Sequence, residues 1–137
     1  MNKMILYLVA VLLTAFITVI CVIFAGAQTQ DEKNVKFLES YGWQVEGKAV
    51  EQEEVTIPQV FDDVYKNYNE LQKQAGLNLE TCRGKQAIRY TYIVKNYPQE
   101  IGEPVRANVL CVDGEVVAGD VMTVSLSGFM HSLNYPQ

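Results

Sequence analysis

Histidine is nearly missing from this chain. His131 stands alone among 137 residues, and the three cysteines form no CxxC-type pair. A metal centre built on imidazole or thiolate needs several such ligands converging, so no metal site is expected. Nucleophilic catalysis needs a base beside the nucleophile, and His131 is the one histidine that can serve. Ser125, Ser127 and Ser132 lie near it in sequence, yet no G-x-S-x-G elbow is present. Phosphate loops, dinucleotide-binding glycine patterns and EF-hand loops are missing as well, so neither a cofactor nor a catalytic set is expected. Positive charge is scarce too. Eleven basic side chains face sixteen acidic ones, and beyond residue 30 the balance is 10 against 16, a net of −6. Nucleic acid requires a basic face, so it is excluded as a partner, and tight docking on anionic lipid is disfavoured. The surplus acid serves to keep the folded part soluble.

Charge is absent altogether from residues 4–27, MILYLVAVLLTAFITVICVIFAGA. At a rise of roughly 1.5 Å per residue, its most apolar 22 or so positions span about 33 Å as a helix, matching the roughly 30 Å hydrocarbon layer. Lys3 precedes the run, while Asp31 and Glu32 follow it. The basic side tends to stay in the cytoplasm, which places the C-terminal bulk outside. The expected organisation is a cytoplasmic stub (1–3), a single-pass anchor contacting the bilayer (4–27), a short linker opening a first helix (28–36) and an extracytoplasmic domain (37–137). The alternative is a signal peptide cleaved after Ala27, where Ala25-Gly26-Ala27 has the small-x-small pattern. The run is longer than the roughly 7–15 residues of a signal h-region, which favours the retained anchor. Lipid modification at Cys21 is a third option, weakened by Ile20 where a small residue is usual. Pairing of the apolar helix with another membrane protein ranks last, because no strong small-xxx-small run is present.

Beyond the anchor the pattern predicts an α+β fold: a small antiparallel meander with one main amphipathic helix on a face. Residues 30–41 read as a short helix stopped by Gly42, and Trp43 and Val45 as an extended segment. Residues 46–54 read as an acidic surface loop, followed by a brief strand at Val55 and Ile57. In residues 58–75, Phe61, Val64, Tyr68, Leu71 and Ala75 recur at intervals of 3 and 4, an apolar stripe on a helix ended by Gly76. Asp62 and Lys66 stand at i, i+4 on its surface. Ile88, Tyr90, Tyr92 and Val94 alternate with polar residues as a half-buried strand, and Val105, Ala107, Val109 and Cys111 form the next. Asp113-Gly114 predicts a type I′ hairpin turn, because both central residues need positive φ. The return strand runs from 115 to about 125 with Gly119 a candidate bulge, and the segment 129–133 plugs one end of the core. Cys82 and Cys111 have no spacing that forces a disulfide, and two free thiols are the favoured reading.

The stretches FLESYGWQV (37–45), IPQVFDDVYKNYNELQKQAG (57–76), RYTYIVKNYP (89–98), VRANVLCVDG (105–114) and AGDVMTVSLSGFMHSL (118–133) together resemble a family of bacterial proteins, domain of unknown function 4830. The resemblance implies a short exported or membrane-anchored protein, and no activity, substrate, cofactor or functional residue.

Candidate binding residues therefore come from chemistry alone. Tyrosine pairs an apolar ring with a wet hydroxyl, as binding surfaces require. Trp43, Tyr65, Tyr68, Tyr90, Tyr92 and Tyr97 are candidates to line a groove between the 58–75 helix and the sheet, with Asn69 adding a polar contact. The same rings also suit a small core. Asp120 is an acid within a strand, and it and His131 are the residues a small hydrolase or transferase would use. The leading expectation is a non-catalytic module that binds a protein or cell-envelope component, through Trp43, Tyr65, Tyr68, Asn69, Tyr92, Asp120 or His131.

Overall fold

Five antiparallel strands lie in chain order across one sheet: β1 (Glu51–Thr56), β2 (Gln86–Ile93), β3 (Arg106–Val112), β4 (Glu115–Met122) and β5 (Met130–His131). Among the described residues three helices accompany them, α1 (Lys3–Ala25), α2 (Gln30–Ser40) and α3 (Asp63–Gln74), with one 3-10 turn at Leu79–Cys82. The computed structural model describes residues 2–136; the side chains of 21–25, including the Cys21 considered for lipid attachment, lie outside the described residues. The fold is α+β, and α1 is long and apolar enough to cross a membrane. None of its 18-residue window from Lys3 to Ile20 is buried against the rest of the chain.

Side chains alternate between the two faces of a strand, and this sheet is covered on both. On the first face α2 packs through Leu38 against Trp43, Val45, Tyr92, Val109, Val121 and Leu133. Thr29 starts α2 with a capping box shared with Glu32, so two otherwise unpaired N–H groups are satisfied at once. On the second face Ile57, Phe61, Leu79 and Cys82 pack on Ala87, Leu110, Val112 and Ala118. Cys82 and Cys111 are both free and belong to opposite faces. The hairpin turn has φ of +51° at Asp113 and +80° at Gly114, as a type I′ turn requires.

Four details depart from the sequence reading. Residues 51–54 are not loop: they pair with β2 as the outermost strand, their acidic side chains turned to solvent, and Glu53 and Glu51 meet Arg89 and Arg106 across the strands. The 58–75 helix starts later, at Asp63. Ile57 is still tied to the sheet, donating to Lys85 O and accepting from Gly84 N at 2.9 Å each, and Asp62 caps the helix by accepting from Tyr65 N. Lys66 consequently pairs with Asp63 rather than Asp62, in an exposed contact worth little. The bulge falls before Gly119: Cys111 pairs with Val116 and Leu110 with Ala118, leaving Val117 as the extra residue. Finally, β4 ends at Met122, and the chain turns back through Gly128 to the two residues of β5.

Candidate functional site

Two buried amides, not the apolar stripe, orient α3. Asn69 accepts from Leu79 N at 2.7 Å and donates to Asn78 Oδ1 at 3.0 Å, pinning the helix to the 3-10 turn. Gln72 accepts from the backbone N–H of Gly119 at 2.8 Å, and so fastens α3 to β4. Buried amides of this kind hold their positions because an unmatched partner would be costly. With those residues inward, part of the predicted stripe is turned off the core: Val64 is 72% exposed and Leu71 only half-buried, while Phe61 is buried and Tyr68 packs against the second-face core.

The rotation leaves a groove of about 620 Å³ between α3 and the second face of the sheet. Val64, Tyr65, Tyr68 and Leu71 form the helical wall, while Val55, Leu110, Met122 and Met130 supply an apolar floor spread over four strands. The polar groups of the floor lie along one cross-strand row. The register sets Thr91 beside Asn108 and Asn108 beside Asp120. Thr91 Oγ1 donates to Asn108 Oδ1 at 2.7 Å, and Asn108 Nδ2 donates to Asp120 Oδ1 at 2.9 Å. Tyr68 OH completes the row from α3, donating to Asp120 Oδ2 at 2.8 Å. Arg89 borders the groove and is paired with Glu53.

Burial raises the Asp120 pKa above the ordinary carboxylate value, against the opposing pull of the Asn108 and Tyr68 bonds and of the Arg89 and His131 charges. Burial, reinforced by Asp120, pushes the Tyr68 phenol well up. The folded chain holds the Asp120 proton to higher pH than the unfolded chain, so this contribution to stability is fully present below about pH 3.9 and is lost as pH rises through the raised folded value. We expect the stability of the wild type, measured relative to Asp120→Asn by urea denaturation, to fall as pH climbs from 4 towards 7. Parallel pH profiles for the two proteins would contradict it.

Tyr65, Tyr68 and Asp120 are the sequence candidates that the groove gathers. Trp43 and Tyr92 lie in the core of the opposite face, where Trp43 Nε1 donates to Leu133 O at 2.6 Å. Tyr92 OH donates to Asp31 Oδ1 at 2.7 Å and accepts from Asn34 Nδ2 at 3.0 Å, joining α2 to the sheet; Cys111 Sγ donates to Asn34 Oδ1, and burial pushes its thiol up to about 11. Tyr90 and Tyr97 pack on that opposite face too, so the tyrosines divide between two sites instead of lining one. His131 stacks on Phe129. Its Nδ1 donates to the Ser132 carbonyl at 2.7 Å, and its Nε2 lies 3.2 Å from Tyr97 OH. Among the described residues, no hydroxyl or thiol nucleophile bonds to His131 or to Asp120 except the phenols of Tyr97 and Tyr68, and no group of three or more His, Cys, Asp or Glu side chains converges.

The family described as "Domain of unknown function (DUF4830)" matches residues 37–121, more than half of the chain. The chain belongs to this family. Neither a curated protein nor a solved structure matches it. The DUF4830 region contains α3, β1 to β3 and β4 as far as Val121, and with them every groove residue named above except Met122 and Met130. Arg89, Asn108, Val55, Leu110 and the two methionines are groove residues that sequence reasoning missed. Arg89 carried a usable signal: it alternates with Ile88 and Tyr90, which assigns it to the opposite face from the tyrosines.

Proposed function

We propose that this DUF4830 protein is a membrane-anchored, non-catalytic binding module, its folded part outside the cytoplasm, which takes a cell-envelope component or partner protein into the groove between α3 and the sheet. The observation that carries the reading is the groove left beside the part of the helix stripe that does not enter the core. Val64 and Leu71 line an open groove whose apolar floor is crossed by a hydrogen-bonded polar row, the combination of apolar walls and few fixed polar groups that small binding sites use. Support for the location comes from α1, with Lys3 before it and Asp31 and Glu32 after it. Cleavage after Ala27 would release the same fold as a secreted protein.

The test places a photo-cross-linking residue at Met130, within the groove, or at Lys36, on the exposed side of α2, in intact cells. The reading expects an adduct from position 130 and none from position 36. Val64→Asp should remove that adduct while changing stability by less than about 0.5 kcal/mol, because the side chain is mostly exposed. Equal adducts from both positions, or a Met130 adduct indifferent to Val64→Asp, would count against the groove. Protease added to intact cells checks the location independently, and a tail that survives it overturns that part.

A further inference from the structure

We infer that the groove takes a carboxylate with an unbranched apolar tail, the head on Arg89 and the tail over Leu71, Leu110, Met122 and Met130. The inference rests on the groove being the binding site and names its ligand class. Hydrogen-bond accounting selects the head. Both oxygens of Asp120 are occupied, by Asn108 and Tyr68, and the Asn108 amide is engaged at its oxygen and through one of its two N–H groups. Arg89 differs: of the five N–H donors a guanidinium carries, one is used, on Glu53. The groove therefore offers spare donors at one end, and an acceptor head matches them. A carboxylate fits the guanidinium fork with two parallel bonds. A cationic head would meet Arg89 with like charge, and a doubly charged phosphate would crowd Glu53 and Asp120 around it, so a single negative charge fits best.

The tail follows from the shape. The groove reaches from Val55 on β1 to Met130 on β5, four interstrand steps of roughly 4.8 Å, or about 19 Å. An opening that long beside one helix accommodates an extended chain better than a fused ring. Two methionines at its far end supply unbranched, deformable side chains that adapt to such a tail.

The experiment uses the full chain in nanodiscs of zwitterionic phospholipid, with methionine methyl groups labelled for NMR. Sodium octanoate, octan-1-ol and octyltrimethylammonium are titrated in turn, and N-acetyl-dileucine stands for an apolar-tailed carboxylate of peptide origin. Met4 in α1 serves as the internal gauge of partition into the bilayer. Octanoate should shift the Met122 and Met130 methyl signals saturably, at about tenfold lower concentration than octanol, the ratio a charge-assisted hydrogen bond supplies. Arg89→Met should abolish the ratio without abolishing the shifts. Glu53→Gln, which frees Arg89, should move the octanoate midpoint lower. Octanoate saturating before N-acetyl-dileucine supports the unbranched tail; the branched dipeptide saturating first would overturn it. Octanol or the ammonium saturating at the same concentration as octanoate would overturn the carboxylate head and leave the groove standing. Met4 responding while Met122 and Met130 do not, with all four probes, would overturn the small-ligand inference, and the cross-linking test would still decide the wider reading.

Discussion

Trp43→Ala should lower the stability of the folded part by about 3–5 kcal/mol, the range for removing a large buried aromatic. The indole is completely buried. It stacks on Tyr97 at 5.9 Å and 10°, and meets Tyr135 at 4.8 Å. Its N–H holds the Leu133 carbonyl, which ties the C-terminal segment back over the first face of the sheet. Alanine would open a cavity at the centre of this cluster and strand a buried acceptor. Against a total of roughly 5–15 kcal/mol for a native domain, that loss is a large share. Cys82 and Cys111 provide the readout, because both are buried free thiols and they report on opposite faces. With a urea slope of about 1.5 kcal/mol/M, a loss of 3 kcal/mol brings maleimide labelling of both on about 2 M earlier. Trp43→Phe keeps a ring and loses the hydrogen bond, so it should cost only about 1–2 kcal/mol. If the alanine variant is no worse than the phenylalanine one, packing in this cluster is not what stabilises the face.

The elements that local chemistry determines were legible. Asp113-Gly114 has no comparably good alternative to the two-residue turn, and the flanking alternation sets β2, β3 and β4 around it. Gly42 and Gly76 follow α2 and α3 with φ of +96° and +78°, as expected of residues that stop a helix. What stayed hidden depended on distant partners. Residues 51–54 of β1 are acidic and exposed, so they carry no strand pattern of their own; they extend the strand foreseen at Val55 because β2 offers an open edge and Arg89 and Arg106 pair with Glu53 and Glu51. The start of α3 moved because Ile57 is bonded to the backbone of residues 84 and 85. The α2 capping box from Thr29 to Glu32 was a local signal that the sequence reading passed over.

The groove was less legible, for a reason that can be counted out. A two-residue turn pairs Val112 with Glu115, and an unbroken ladder would then set Asn108 opposite Gly119. The extra residue at Val117 moves the partner of Asn108 to Asp120, and only that shift assembles the polar row on which Tyr68 lands. No feature of the sequence fixes a bulge at Val117. The rotation of α3 was hidden likewise, since periodicity marks the apolar side of a helix and not the two amides that find buried partners in the 3-10 turn and β4. Sequence reasoning therefore reached Tyr65, Tyr68 and Asp120 and missed the residues that convert them into a groove.

Gly119→Ala should cost about 1–3 kcal/mol, the range for forcing a methyl group into filled space. Backbone conformation is not the obstacle here, because Gly119 is not among the residues of positive φ. A Cβ at this position would stand 2.7 Å from Leu133 Cδ1 and 2.8 Å from the Asn108 carbonyl oxygen, and neither can yield cheaply. Leu133 is fully buried and its carbonyl carries the Trp43 bond, while Asn108 O belongs to the paired backbone of β3. The N–H of Gly119 also anchors Gln72, so a displaced β4 would loosen α3 and widen the groove. Two readouts follow, an earlier urea midpoint and a change in the Met122 methyl signal before any ligand is added. Leu133→Ala removes one of the two clashes. Combined with Gly119→Ala it should cost less than the sum of the single changes, the mark of two residues competing for one space. Strict additivity, or a Gly119→Ala protein as stable as the wild type, would mean that β4 gives way at no cost and that close contact with Leu133 does not explain the glycine.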